Sequence, residues 1–389
     1  MRRRIVIVGG GPAGLSLVRA LDGCGVEITV LERQSRAELA DPAVDGREIA
    51  LTQASIRTLR RMGVWARIPA DQVFPLNQAR VLNGGSPFAL DIAAPRQHGE
   101  PLGALVSNHL IRRALFDAVA ADPQLTLRCG VEVAHVRTGP DRAEVELVGG
   151  EVIPADLVVA ADSRFSRARA AMGIGAEMLP IGRSMLVCRI THELPHDGIA
   201  TEWFDHHRTV ALLPLGPGMS SLVLTLPEAE ARRLAASPLA DLAAPFAEMT
   251  HGRWDKVAAV GPAVAYPLTM TYARRFSTTR GVLLGDAAVG MHPVTAHGFN
   301  FGLAGADRLG RLLRKARDVG EARRLTRYAL AHRAATWPLY LGTKALVRLF
   351  TDERLPARAA RRAVLRLGAL PPVRKALGSL LMDRGTQGG

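Results

Sequence analysis

Cysteine is scarce in this sequence: 389 residues hold three, Cys24, Cys129 and Cys188, each isolated from the others. Isolated thiols make neither a disulfide framework nor a metal-binding cluster, so no metal site is expected and a reducing cytoplasm suits the chain. Long apolar runs are missing as well. No uninterrupted stretch approaches the ~20 residues that a membrane-spanning helix needs. Met1-Arg2-Arg3-Arg4 before Ile5-Val6-Ile7-Val8 has the outline of a secretion signal. Gly9, Gly10 and Gly11 break that run at once, and no small-residue cleavage site follows. Internal repeats and low-complexity linkers are absent. Lysine is rare: only Lys256, Lys315, Lys344 and Lys375 stand among 50 basic residues, the rest being arginine.

What is present reads as a globular chain. With 48% hydrophobic and 22% charged residues it is not disordered, and its length allows one interlocked body or two to three domains. The net charge of +14 is unevenly placed. Residues 308–389 hold 19 basic and 5 acidic side chains, which accounts for the whole excess. This tail reads as helical. Val373, Ala376, Leu377, Leu380 and Leu381 share one face, and Arg358, Arg361, Arg362 and Arg366 form a stripe on the helix before it. Two readings stand: a solvated face, or docking on an anionic membrane surface. No nucleic-acid partner is expected.

Residues 4–33 read as a strand–helix–strand unit. The strand Arg4–Val8 leads to Gly9-Gly10-Gly11-Pro12-Ala13-Gly14, a helix to about Leu21, the strand Glu27–Leu31, and then Glu32-Arg33. Gly9, Gly11 and Gly14 supply the tight turn, the close approach to a pyrophosphate and the helix–strand contact of a dinucleotide fingerprint. Glu32 is placed to accept hydrogen bonds from an adenosine ribose. The pattern alone does not distinguish FAD from NAD, and the acid disfavours a 2′-phosphate.

A second motif runs from Gly285-Asp286 to Asn300. The buried strand Val282-Leu283-Leu284 stops there, and after Gly298 the residues Phe299, Leu303, Ala306, Leu309 and Leu313 recur at helical spacing. The free N–H groups of Gly298, Phe299 and Asn300 then open a helix, where negative charge is favoured. The negative edge of a reduced flavin suits that place. Between the motifs, residues 45–65 read as a loop and then a helix. There Arg47 is read either as a surface residue or as a cofactor contact. Asn108 opens a helix through Val119, Leu125–Val148 reads as a β-meander, and the strand Asp156–Ala161 ends at a polar cluster beginning with Asp162. Strands near 208–226, joined at Gly216-Pro217-Gly218, indicate an antiparallel sheet. The expected division is a Rossmann-like domain (1–71, 105–180 and 265–330), an interleaved antiparallel-sheet substrate domain (72–104 and 181–264), and a C-terminal helical segment (331–389).

Gly9-x-Gly11-x-x-Gly14 with Glu32, the Asp162 cluster and the stretch Gly285-Asp286 through Asn300, in this order, resemble the group A flavoprotein monooxygenases, the class of para-hydroxybenzoate hydroxylase. Asp45-Gly46-Arg47-Glu48-Ile49-Ala50-Leu51, Tyr266-Pro267-Leu268-Thr269, Tyr272-Ala273-Arg274-Arg275-Phe276 and Leu370-Pro371-Pro372 are similar to the ubiquinone-biosynthesis hydroxylases, in the branch acting on 5-demethoxyubiquinol. The resemblance implies an α/β para-hydroxybenzoate-hydroxylase-like fold, bound FAD, and NADH or NADPH as electron donor. It implies hydroxylation by O2, through a flavin C4a-hydroperoxide, of a lipophilic phenol or quinol. Contact with an anionic membrane or with other proteins of that pathway goes with it, on the inner face of the membrane. The cofactor-binding set it implies is Gly9, Gly11, Ala13, Gly14, Glu32, Arg33, Arg47, Asn108, Asp162, Asp286, Pro293, Gly298, Phe299 and Asn300. His292, His297, Tyr266 and Tyr272 are the candidates, by proximity to the motif, for handling the phenol proton, with His297 and Tyr266 put forward and His297 first. The chain departs from the family at Ser163, Val289, Ala296-His297 and Gly305, which bears on the geometry beside the flavin ring. A soluble aromatic substrate and a non-catalytic, membrane-associated flavin protein are the alternatives. A flavin halogenase is disfavoured, because none of Trp65, Trp203, Trp254 and Trp337 has a tryptophan two residues away.

Overall fold

The structure is a computed structural model that describes residues 3–93, 100–205, 208–293, 297–351, 354, 361, 363–364 and 366–373. Its first layer is a parallel sheet centred on Arg3–Val8. Val26–Glu32 and then Leu125–Cys129 lie on one side; Leu157–Ala160 and Gly281–Leu283 lie on the other, with Ser277–Thr278 as an antiparallel edge. Parallel strands buried on both faces read as unbroken apolar runs. Ile5 and Ile7 face a core shared with the helices Pro12–Ala20, Asn108–Val119 and Gly298–Leu313. Val6, Val8, Val158 and Ala160 face a second core, shared with Val136, Val145 and Tyr272.

The second layer is a mixed sheet. Its order runs Val289–Gly290, Val264–Ala273, Ala176–Thr191, Met219–Pro227, Arg208–Pro214, Ile199–Asp205, Gln78–Asn83, Ala89–Ala93. All these pairs are antiparallel except Ile199–Asp205 with Gln78–Asn83. A small sheet joins Glu48–Thr52, Gly103–Ser107 and Phe74–Leu76 between the two layers.

Three sequence expectations are corrected. Residues 48–52 form a strand and not a loop, because Glu48–Thr52 pairs along its length with Gly103–Ser107. Leu125–Cys129 leaves the expected meander and adds, in parallel, to the edge of the first sheet, so only Val133–Thr138, Ala143–Leu147 and Val152–Ala155 form a meander. Arg361 is not part of a solvated stripe: it is 4% exposed, and its Nε donates to the carbonyl of Leu349 at 3.0 Å. Arg358, Arg362, Ala376, Leu377, Leu380 and Leu381 lie outside the described residues. The expected domain limits also meet continuous elements. The strands Ala176–Thr191 and Val264–Ala273 and the helix Ala322–Thr351 run across 180/181, 264/265 and 330/331. That helix continues through Pro338.

Candidate active site

The fingerprint turn is closely built. Gly9 adopts φ +113°, and a Cβ there would stand 2.5 Å from the carbonyl oxygen of Ala161 on the neighbouring strand. A Cβ on Gly14 would stand 2.0 Å from the carbonyl oxygen of Gly9, so only glycine lets the helix start this near the strand. Gly11 caps the helix Pro12–Ala20, and Pro12 needs no hydrogen bond in the first turn. A Cβ on Gly11 would meet nothing within 4 Å, so the helix start opens on free space. Glu32 reaches back to this turn: its Oε2 accepts from the Gly10 N–H at 2.6 Å and its Oε1 from the Gln34 N–H at 2.9 Å. Two lone pairs per oxygen leave acceptor capacity for a ribose. Ala13 is half-buried and Arg33 exposed.

The second helix start lies against the first. Gly285 takes φ +61°, and its Cβ would stand 2.7 Å from that of Ala13, so the two motifs meet through their smallest residues. His297 caps the helix Gly298–Leu313 and accepts the Phe301 N–H on its carbonyl at 2.9 Å. Its ring is buried, 5.6 Å from that of Phe301. A Cβ on Gly298 would again meet nothing within 4 Å. Asn300 is buried and turns its side chain to the small sheet, donating from Nδ2 to the Ala50 carbonyl at 2.9 Å and accepting the Thr52 N–H on Oδ1 at 3.2 Å. Phe299 packs at the rim of the helix-side core, and Pro293 is half-buried.

Asp45 is the hub that sequence reasoning passed over. Its carboxylate accepts from Arg47 Nη2 at 2.6 Å and from Asn108 Nδ2 at 2.7 Å, and Tyr266 Oη donates to its carbonyl at 2.6 Å. Burial opposes the charge, but Arg47 and Asn108 outweigh it and hold the Asp45 carboxyl below its usual range. The Arg47 guanidinium also lies over the Tyr266 ring, 5.2 Å from its centre. So Arg47, Asn108 and Tyr266, far apart in sequence, converge on one loop. Beside them Glu48 is buried between Arg189 Nη2 at 2.8 Å and Ser107 Oγ at 2.9 Å, and burial pushes its carboxyl upward. Nothing in the local pattern marks this pair, since Arg189 comes from the large sheet.

Asp286 pairs with Arg164 Nη2 at 3.0 Å, while Arg164 Nη1 donates to the Thr269 carbonyl at 3.0 Å. Asp162 accepts from Ser166 Oγ at 2.5 Å, next to the helix Arg167–Ala171. His292 is buried near Arg164, and the two causes, burial first, lower its pKa to about 4. No group of three or more metal-binding side chains occurs among the described residues.

Two helix starts opening on free space, a strand-end acid and a buried carboxamide that locks the second helix make a fitting cradle for a dinucleotide with a flat ring. A flavoprotein fold of the para-hydroxybenzoate hydroxylase type is the class these features define. The chain belongs to the FAD binding domain family, which matches residues 2–340. It is 41% identical over 380 residues to ubiquinone hydroxylase UbiM of Neisseria meningitidis, covering 95% of this chain and 82% of that protein. It is 34% identical over 386 residues to ubiquinone hydroxylase UbiL of Rhodospirillum rubrum, covering 97% and 90%. Among solved structures it is similar to p-nitrophenol 4-monooxygenase PnpA from Pseudomonas putida, with TM-score 0.78, 19% identity and coverage of 98% and 97%. It is an FAD-dependent aromatic hydroxylase of the ubiquinone hydroxylase group.

Proposed function

We propose that this enzyme hydroxylates the aromatic ring of a polyprenylated phenol in ubiquinone biosynthesis, a 5-demethoxyubiquinol-like compound, with NADH or NADPH as donor and O2 as oxidant. The observation that carries the reading is the 41% identity to a ubiquinone hydroxylase over nearly the whole chain. Bound FAD would supply the hydride-accepting and O2-activating chemistry that hydroxylation of an electron-rich ring requires.

The chain's own residues do the rest. Gly9, Gly11, Ala13 and Gly14 admit the pyrophosphate, with Glu32 and Arg33 toward the adenosine. Asp286, steadied by Arg164, faces the ribityl chain, and Asp162 completes that side. Gly298, Phe299 and Asn300 offer backbone N–H groups to the ring edge, because the Asn300 side chain is committed to Ala50 and Thr52. Pro293, Arg47 and Asn108 close the ring site. His297 and Tyr266 are the groups for holding or moving the phenol proton. The division into FAD-binding, substrate and C-terminal parts goes with this reading. So does docking of the basic C-terminal segment on an anionic membrane, where a lipophilic substrate resides; no helix among the described residues is long and apolar enough to cross a membrane.

The test is turnover of a demethoxyubiquinone analogue by the FAD-loaded protein with NADH under air. The expected product carries one added oxygen atom and accounts for most of the NADH consumed. NADH oxidation that yields only hydrogen peroxide with this analogue, together with coupled hydroxylation of a soluble phenol, would replace the reading by one of a soluble substrate.

A further inference from the structure

The helix Ala322–Thr351 has two unlike faces. Leu325, Tyr328, His332, Thr336, Tyr340 and Thr343 recur every three or four residues and are buried. Through them the helix joins both cores of the parallel sheet, Tyr328 on one side and Tyr340 on the other. The opposite face is left in water. Between Arg327 and Arg348 every exposed position on this helix carries an apolar side chain or glycine. Leu330 is 65%, Trp337 39% and Leu341 42% exposed. Single exposed leucines are ordinary. These three stand at i, i+7 and i+11, with Ala334 and Ala345 in the same line, so they make one continuous stripe about 22 Å long.

Cations border the stripe. Arg323 and Arg327 extend it at one end and Arg348 at the other, all of them exposed. Arg274 and Arg275 are exposed beside its middle, where Arg333 donates to the carbonyls of Ala273 and Arg274. Arg274, Arg275, Arg323 and Arg327 make no hydrogen bond or ion pair among the described residues. Glu177 and Glu321, acids beside this helix, are held by its own Lys344 and Arg324. The charge left over is therefore basic, and it calls for an anionic partner. A second copy of this chain would set arginine against arginine whether the two stripes met parallel or antiparallel, because both ends are basic. A bilayer with anionic headgroups meets both needs. Its headgroups face the arginines, its acyl region takes the leucines, and tryptophan favours the boundary between them.

We propose that the helix Ala322–Thr351 lies flat on an anionic lipid surface, with Leu330, Trp337 and Leu341 inserted below the headgroups and Arg323 and Arg327 against the phosphates. The inference rests on the membrane docking proposed above. It moves the contact from the charge of the terminal segment to one face of an ordered helix.

The test uses the FAD-loaded full chain and vesicles of phosphatidylcholine, with and without phosphatidylglycerol. The parent is expected to sediment with the anionic vesicles and not with phosphatidylcholine alone. Leu330→Gln combined with Leu341→Gln should weaken that binding about tenfold, and Arg323→Gln or Arg327→Gln about fivefold each. Brominated acyl chains should quench tryptophan emission in the parent more than in Trp337→Phe. The leucine and arginine variants should keep the parent's Tm and its turnover of a short-chain, water-soluble phenol, because these side chains are exposed and lie outside the flavin site. Vesicle binding by the leucine variant equal to the parent's would overturn the inference. If Arg358, Arg362 and Arg366 changed to Gln abolished binding at the same time, docking by the terminal segment would stand without this helix. A dimeric parent and a monomeric leucine variant in light scattering would give the stripe to a second copy instead. A parent that binds neither vesicle would remove the docking reading, and this inference with it.

Discussion

Asp286 and His297 test the site at the scale of single residues. Asp286 shares its carboxylate with Arg164, so the proposed ribityl contact is held in place before any cofactor arrives. Asp286→Ala is expected to lower the flavin bound per purified chain, measured by absorbance after gel filtration. Retention of FAD at the parent's affinity would remove Asp286 from the cofactor site. His297 caps the second helix through its backbone, which any residue can supply, while its ring packs near Phe301. If that ring relays the phenol proton, His297→Gln should slow product formation more than flavin reduction by NADH in stopped-flow traces. Equal slowing of both steps would assign it to structure. The sequence drew attention to Arg47, Asn108 and Tyr266 separately. Asp45, the acceptor they share, was named only as part of its loop, because a hub is defined by where its partners end and not by their order.

The element that needs the most support is the helix Gly298–Leu313. It starts at the proposed ring site and packs along the helix Pro12–Ala20, so close that a Cβ on Gly310 would stand 2.5 Å from that of Ala20. Its tie to the small sheet is the Asn300 side chain. Asn300→Ala leaves the Ala50 carbonyl and the Thr52 N–H without that partner, a loss of about 1–3 kcal/mol. A fall in Tm and weaker FAD retention are expected together in thermal melts of the holoprotein; a change in neither would mean that the tie is dispensable.

The helix Ala322–Thr351 carries a second test, of pH. His332 on it is buried, with Nδ1 3.1 Å from Arg308 Nη1, and burial followed by Arg308 lowers its pKa to about 3. His292 is lowered to about 4. Both imidazoles stay neutral in the fold, whereas in the unfolded chain they take a proton near 6.5. The stability they contribute is therefore present above about pH 6.5 and is lost progressively as pH falls toward 4 and 3. Full loss is of the order of 3 kcal/mol for His292 and of the order of 5 kcal/mol for His332. Melting curves between pH 7 and 4 should show a falling Tm, with a shallower slope in His332→Phe, whose ring suits the neighbouring Phe276 and Tyr328. An unchanged slope would show that His332 titrates normally.

For the whole molecule, the question is what the basic tail does. Several of its cationic side chains are tied to the protein. Arg314 donates to the carbonyls of Ala20 and Asp22, Arg333 to those of Ala273 and Arg274, and Arg361 to that of Leu349. Lys344 pairs with Glu177. Side chains held this way are less free to reach an anionic surface, where each basic residue is worth roughly 1 kcal/mol. Against that, Val364, Leu367, Leu370 and Val373 stand 39–58% exposed in the C-terminal segment, which leaves apolar surface to insert. Sedimentation with liposomes should show binding that needs anionic lipid, weakens with salt, and drops when Arg358, Arg362 and Arg366 become Gln. Binding indifferent to lipid charge and to these substitutions would rule out electrostatic docking.

Local patterns carried the fingerprint turn and the opening of the helix at Gly298, and the flavoprotein fold came through the family resemblance of those motifs. Each of these depends on local spacing: glycines where backbone must approach backbone, apolar residues at a period of 3.6, unbroken apolar runs for strands buried on both faces. Tertiary pairing made residues 48–52 a strand, since their partners lie 51–59 positions away at Ser107–Gly103. It also decided that Leu125–Cys129 joins the parallel sheet and that Asp45 gathers Arg47, Asn108 and Tyr266. Strand pairing and side-chain convergence are long-range contacts. Their free energy comes from residues that no local window holds together.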